Sequence, residues 1–70
     1  MPNPDNQKIK FLRRHEVEKM TGLSRSQIYA LIEADEFPRQ VQLSANSVAW
    51  LDTEIERWMD ERIRLRDNHN

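Results

Sequence analysis

The sequence predicts a mainly α fold with a small β-hairpin, arranged as a winged helix-turn-helix. Three observations predict it. The only glycine, Gly22, separates two amphipathic stretches and is followed at once by a helix-start signal. Apolar and polar residues then alternate on either side of Ser44-Ala45-Asn46-Ser47, as two short strands do. Finally, Leu51, Ile55, Trp58 and Met59, continuing to Arg62 or Ile63, recur at helical spacing. At 70 residues there is room for one small domain, placed at 8–66. Residues 1–7, with two prolines and no apolar stretch, read as a disordered leader, and 67–70 as a frayed tail.

Taken in order, Ile9, Phe11 and Leu12 supply the first apolar contacts, and His15 to Thr21 form a short helix that buries Val17 and Met20. Gly22 ends it by adopting the left-handed backbone that other residues reach only at a cost. Ser24 suits the N-cap of a second helix and Gln27 its third position. Such a pair satisfies two backbone donors reciprocally, and Leu23 and Ile28 take the two staple positions. From Arg25 to about Ala34 this helix turns Ile28, Leu31 and Ile32 to the core. It leaves Ser26, Tyr29, Ala30 and Glu33 outward, with Arg25 at the flank near its start. Phe37-Pro38 breaks the helix, because proline disfavours helical backbone in the residue before it. The hairpin follows, its turn lacking glycine. After Trp50 a third helix starts, capped by Asp52 or by Thr53 with Glu56, and runs to about Leu65.

Hydrophobic residues make up 37% of the chain and charged ones 33%, with no long apolar run, so a soluble cytoplasmic protein with no membrane partner is expected. The absence of cysteine excludes a disulfide framework and thiolate metal sites. His15 and His69 have no partner at metal-ligand spacing, and no nucleophile, base and oxyanion donor group together. No enzyme activity, cofactor, metal or small-molecule ligand is therefore expected. The net charge of -1 is unevenly spread: Lys8 to Arg39 hold seven basic residues against five acids, whereas Leu51 to the end hold six acids against four arginines. The acids and arginines of the third helix read as a solvated, ion-paired face.

A helix-turn-helix followed directly by a hairpin points to double-stranded DNA, with the second helix in the major groove and the hairpin as a wing beside it. Ser24 presents a helix N-terminus to phosphate. Arg25 has the reach for a guanine edge or a phosphate, and Ser26 is polar and near the helix start. Gln27 either contacts a base or is committed to the cap. Tyr29 either gives its hydroxyl to phosphate or packs half-buried. Arg39, Asn46 and Ser47 are candidates for backbone contacts, plain solvation being the alternative for each. So small a module is expected to need a second copy or cooperative assembly on DNA. A protein-interaction module working through the third helix, with Trp58 and Met59 exposed, is the rival reading.

Leu12, Glu16-Val17, Thr21-Gly22-Leu23-Ser24-Arg25-Ser26, Ile28-Tyr29, Phe37-Pro38, Ser47-Val48-Ala49-Trp50, Glu54 and Trp58 together resemble the AlpA-like prophage transcriptional regulators, a group allied to excisionases within the MerR-like winged-helix class. The resemblance spans about Phe11 to Ile63 and implies a small regulator of integrase expression or of element excision, reading the major groove with helix two. The chain departs from the family pattern in two places. Its wing turn lacks the glycine and basic residue often found there, and Gln27 stands where threonine is frequent.

Overall fold

A computed structural model describes residues 8–68. The order is β1 (Phe11–Leu12), α1 (Arg14–Thr21), α2 (Arg25–Glu33), β2 (Val41–Ser44), β3 (Ser47–Leu51) and α3 (Asp52–Asp67). The hairpin is thus part of a three-stranded antiparallel sheet, β1-β3-β2, with β3 in the centre. The short strand β1 went unforeseen because its pairing is non-local: Phe11 lies opposite Leu51 and Leu12 opposite Trp50. Successive strand residues face opposite sides. Leu12 is buried, whereas Phe11 is 48% exposed and Ile9 is exposed too, so one of the three expected apolar contacts is made.

Leu12, Val17, Ile28, Ile32, Phe37, Trp50 and Ile55 form one core, drawing on β1, all three helices, β3 and the segment after α2. Met20, expected to be buried, is 37% exposed. It lies three residues from Val17, about 60° away around a helix, and an eight-residue helix covers only a narrow stripe. The start of α1 falls at Arg14, one residue before the expected His15. Glu16 Oε1 accepts the Arg13 N–H at 2.8 Å there, satisfying a donor just before the first turn. Its end is at Gly22, with φ 78° and its N–H donating to the Glu18 carbonyl at 2.8 Å. A Cβ at Gly22 would meet nothing within 4 Å, so the demand for glycine here is set by the backbone alone.

The stop of α2 falls where the sequence reading puts it, at about Ala34, but corrects that reading in its cause. The helix ends at Glu33, four residues before Phe37-Pro38, and the residue that ends it is Asp35, which takes a left-handed φ of 64°. Its N–H donates to the Ile32 carbonyl and the Glu36 N–H to the Leu31 carbonyl, the paired bonds of a Schellman stop. Aspartate tolerates this conformation better than most residues but less well than glycine. Its ion pair with Arg39 is long, 3.5 Å, with both side chains more than 70% exposed, and adds little. Asp35→Gly is therefore expected to stabilise the protein by about 0.5–1 kcal/mol, raising the melting temperature by roughly 2–8 °C in circular dichroism. A lower melting temperature would mean that the carboxylate matters more than the backbone strain.

The start of α3 corrects it again. The N-cap is Leu51, the last residue of β3, so strand passes into helix with no loop between them. Neither Asp52 nor Thr53 caps. Asp52 Oδ1 instead accepts the Lys10 N–H at 3.1 Å, and the Asp52 N–H donates to the Lys10 carbonyl at 2.9 Å, so this pair extends the β1–β3 ladder by one step. Asp52 and Glu54 still complement the positive end of the helix dipole. The helix continues through Asp67, beyond the expected end at Leu65, with Asn68 as its C-cap. Residues 1–7 and 69–70, including His69, lie outside the described residues.

Candidate nucleic-acid interface

The corner between α1 and α2 is built by local hydrogen bonds. Thr21 Oγ1 donates to the Val17 carbonyl at 2.8 Å and accepts the Leu23 N–H at 3.2 Å, so a side chain holds the connection on both sides of Gly22. Ser24 Oγ accepts the Gln27 N–H at 3.2 Å and Gln27 Oε1 accepts the Ser24 N–H at 2.9 Å, forming the reciprocal box expected from the sequence. Gln27 is thus committed to the cap through its oxygen. Leu23 packs against the core and Ile28 is fully buried beneath the corner.

This pins the orientation of α2. With Ile28 and Ile32 buried, Ser26, Ala30 and Glu33 face solvent together, and Arg25 stands exposed on the first helical turn. No acid occupies that first turn, so the positive end of the helix dipole and the Arg25 guanidinium act in the same direction. Glu33, on the same outer face at the other end, opposes an approaching phosphate. The anion-attracting part of the face is therefore confined to Ser24, Arg25 and Ser26.

Tyr29 sits at the flank of α2 toward the sheet, half-buried, its ring edge-on to Trp50 with centroids 6.3 Å apart. It takes the packing role that the sequence left open, and it ties α2 to the central strand. Trp50 itself donates from Nε1 to the Pro38 carbonyl at 3.0 Å. Arg39 lies away from this end: it pairs with Asp35 just beyond α2 and shares a shallow groove with Glu54, Arg57 and Trp58 of α3. Eight helical steps, about 12 Å, separate Arg25 from Glu33 at that end of α2.

Two residues turn the hairpin. Ser44 pairs with Ser47, Ala45 and Asn46 form the turn, and a register irregularity falls between Gln42 and Ser44. Asn46 is exposed at the tip; Ser47 is half-buried and belongs to β3. Gln42 Nε2 donates to the Ser44 carbonyl at 2.6 Å and lies 3.4 Å from that of Ala45, bracing a turn without glycine. Arg13 Nε donates to the Val48 carbonyl at 3.0 Å, fastening the entry of α1 to the hairpin. Neither role was legible in advance. Gln42 looked like the polar half of an alternation, and Arg13 one of several basic residues before α1.

Trp58 and Met59 are packed against the core, with Trp58 Nε1 donating to the Glu36 carbonyl at 2.8 Å and its ring edge-on to Phe37 at 4.8 Å. The side chains that the rival reading needed exposed are thus in use. Among the described residues no cluster of His, Cys, Asp and Glu is arranged to hold a metal ion, and no helix is long and apolar enough to cross a membrane.

A family model described as the prophage CP4-57 regulatory protein (AlpA) matches residues 10–63, which takes in every element from β1 to most of α3. The chain belongs to the AlpA family. A protein of Enterobacteria phage P4, the uncharacterized ORF88, is 52% identical over 66 residues, covering 94% of this chain and 75% of that protein. The DNA-binding transcriptional activator AlpA of Escherichia coli K12 is 30% identical over 63 residues, covering 81% of this chain and 90% of its own length. The winged helix-turn-helix architecture and the membership of a prophage regulator family thus agree. In this AlpA-family chain the β2–β3 hairpin holds the wing position of that architecture, and Tyr29 against Trp50 ties α2 to its central strand.

Proposed function

We propose that this AlpA-family protein is a sequence-specific DNA-binding regulator of a prophage or integrative element, with α2 in the major groove and the β2–β3 hairpin as its wing. The observation that carries the reading is the N-terminal face of α2. There a capped helix start, an exposed arginine and an exposed serine share one side, free of carboxylates. The DNA-binding activator of Escherichia coli among its relatives supports the same reading. Arg25 and Ser26 read base edges, Ser24 offers phosphate a helix N-terminus, and Asn46 at the wing tip touches backbone. Gln27, its oxygen held by the cap, retains only its amide N–H groups for a base. Ser47 and Tyr29 support the interface from within, and Arg39 contributes from its far end. No cofactor, metal or small-molecule ligand takes part, and the protein works in the cytoplasm as a dimer or a cooperative array on DNA.

The same interface serves an excision factor, and the two roles part on the fragment that is bound. Binding should be measured by fluorescence anisotropy on the promoter and attachment regions of the element carrying the gene, across a salt series. A protein that neutralises a few phosphates loses affinity linearly in log salt, with a slope of about -0.9 per phosphate. A slope of roughly -3 to -5 is expected. Absence of binding to every fragment at low salt would sink the reading.

A further inference from the structure

Contacts from α3 fall on residues to either side of α2 in the chain. Near the middle of α3, Trp58 Nε1 bonds the Glu36 carbonyl, just past the end of α2. One turn later, Arg62 and Ile63 line a groove with Thr21 and Leu23, the corner that precedes α2. The groove thus brings Arg62 and Ile63 to the corner that leads into Ser24 and Arg25, and the last turn of α3 continues about 5.4 Å beyond it.

Charge along α3 is segregated. Between residues 52 and 61 there are five carboxylates and one arginine, whereas 62–66 hold Arg62, Arg64 and Arg66 and no acid. The ion-paired face that the sequence suggested is not formed. Among the described residues, Arg66 alone of the α3 arginines pairs with a carboxylate, its neighbour Asp67, and its side chain stays 76% exposed. Arg62 rests over the Trp58 ring, its guanidinium carbon 5.7 Å from the centroid. Arg64 is exposed and makes no ion pair among the described residues. The helix carries these groups beyond its last core contact, leaving Ile63 and Leu65 about half exposed as well.

We propose that the last turn of α3, through Arg64 and Arg66, is a second phosphate-binding element that grips the DNA backbone beside the N-terminal end of α2. It rests on the DNA-binding reading and adds to it a contact from an element outside the helix-turn-helix and wing. A net charge of -1 then no longer argues against DNA, because five of the six acids of α3 lie within residues 52–61 and three of its four arginines within 62–66, Asp67 and Arg57 being the exceptions. Phosphate contacts of this kind position the protein without reading sequence.

The test compares the wild-type protein, Arg64→Ala/Arg66→Ala, Arg64→Lys/Arg66→Lys and Arg25→Ala on a short synthetic duplex of arbitrary sequence and on a promoter fragment. The alanine pair is expected to weaken binding about tenfold on both, and to make the salt slope shallower by about 1–2. The lysine pair should keep the slope. These arginines also complement the negative end of the α3 dipole, a purely structural role. That role would move the melting temperature in circular dichroism and leave the salt slope unchanged, which would overturn the proposal. If wild type and Arg25→Ala differ in binding while the alanine pair matches wild type, this element falls and the recognition helix stands. If wild type binds neither DNA, both fall. A change in sedimentation of the alanine pair with an unaltered slope would assign the turn to self-association instead.

Discussion

Trp50→Ala is expected to cost about 3–5 kcal/mol and to lower the melting temperature by at least about 12 °C. For a domain of this size, total stability is roughly 4–10 kcal/mol, so this one change removes a large share of it. Trp50 is the penultimate residue of the central strand, opposite Leu12 of β1, and is fully buried. Its ring meets Tyr29 of α2, and its Nε1 holds the Pro38 carbonyl in the segment that leads to β2. It thus joins the sheet, α2 and the entry to the wing. Trp50→Phe separates these contributions. It keeps most of the apolar surface but leaves the Pro38 carbonyl without its donor, a loss of about 1–3 kcal/mol. The expected order of stability is wild type, then phenylalanine, then alanine, read from urea and thermal unfolding. An alanine variant within 1 kcal/mol of wild type would show that the fold does not depend on this junction.

What could be read from the sequence was set by the distance between interacting residues. The corner from Thr21 to Ile28 is local. Glycine, the capping pair and the staple lie within seven residues, and each reveals its backbone state by its own chemistry. The core faces of α2 and α3 followed from helical periodicity for the same reason, and Ile28, Ile32 and Ile55 are buried. What escaped depends on partners far along the chain. Lys10 and Asp52 are 42 residues apart and Arg13 and Val48 are 35 apart, so neither β1 nor the anchoring of the wing left a mark on any short window. Asp52 illustrates the cost of local reasoning: its type and place suit a helix cap, yet a neighbouring strand competes for the same carboxylate and wins. Asp35 escaped for a different reason. A nearby Phe37-Pro38 offered a sufficient stop, although the helix had already closed on a left-handed aspartate.

The candidate residues could be named from the sequence, but how the fold arranges them could not. Ser24, Arg25 and Ser26 stand where the helix start places them, whereas Gln27 and Tyr29 are engaged with the protein, the first by the cap and the second by Trp50. That division could not be settled from spacing, because Tyr29 lies on the flank of α2 and only the position of β3 decides which way a flank faces.

This arrangement makes Arg25 the residue with the largest expected effect on recognition. It is exposed on the first turn of α2, and no ion pair with a carboxylate ties its guanidinium among the described residues. A guanidinium can donate two bonds to the acceptors on a guanine edge, worth about 1–3 kcal/mol of discrimination. Arg25→Ala should therefore weaken binding to the target fragment roughly 5- to 150-fold, with a smaller loss on a duplex of arbitrary sequence, so that the ratio of the two affinities falls. Stability should change little, because the cap of α2 is supplied by Ser24 and Gln27 and not by Arg25. Arg25→Lys distinguishes the two ways in which the residue can act. If Arg25 reads a base through its planar fork, lysine restores the charge and the affinity for arbitrary DNA but not the preference for the target. If it only meets phosphate, lysine restores both. Anisotropy titrations of the three proteins on the two duplexes give the answer. An Arg25→Ala protein that binds the target as tightly as wild type would remove α2 from the major groove and send the search for the reading element to the wing.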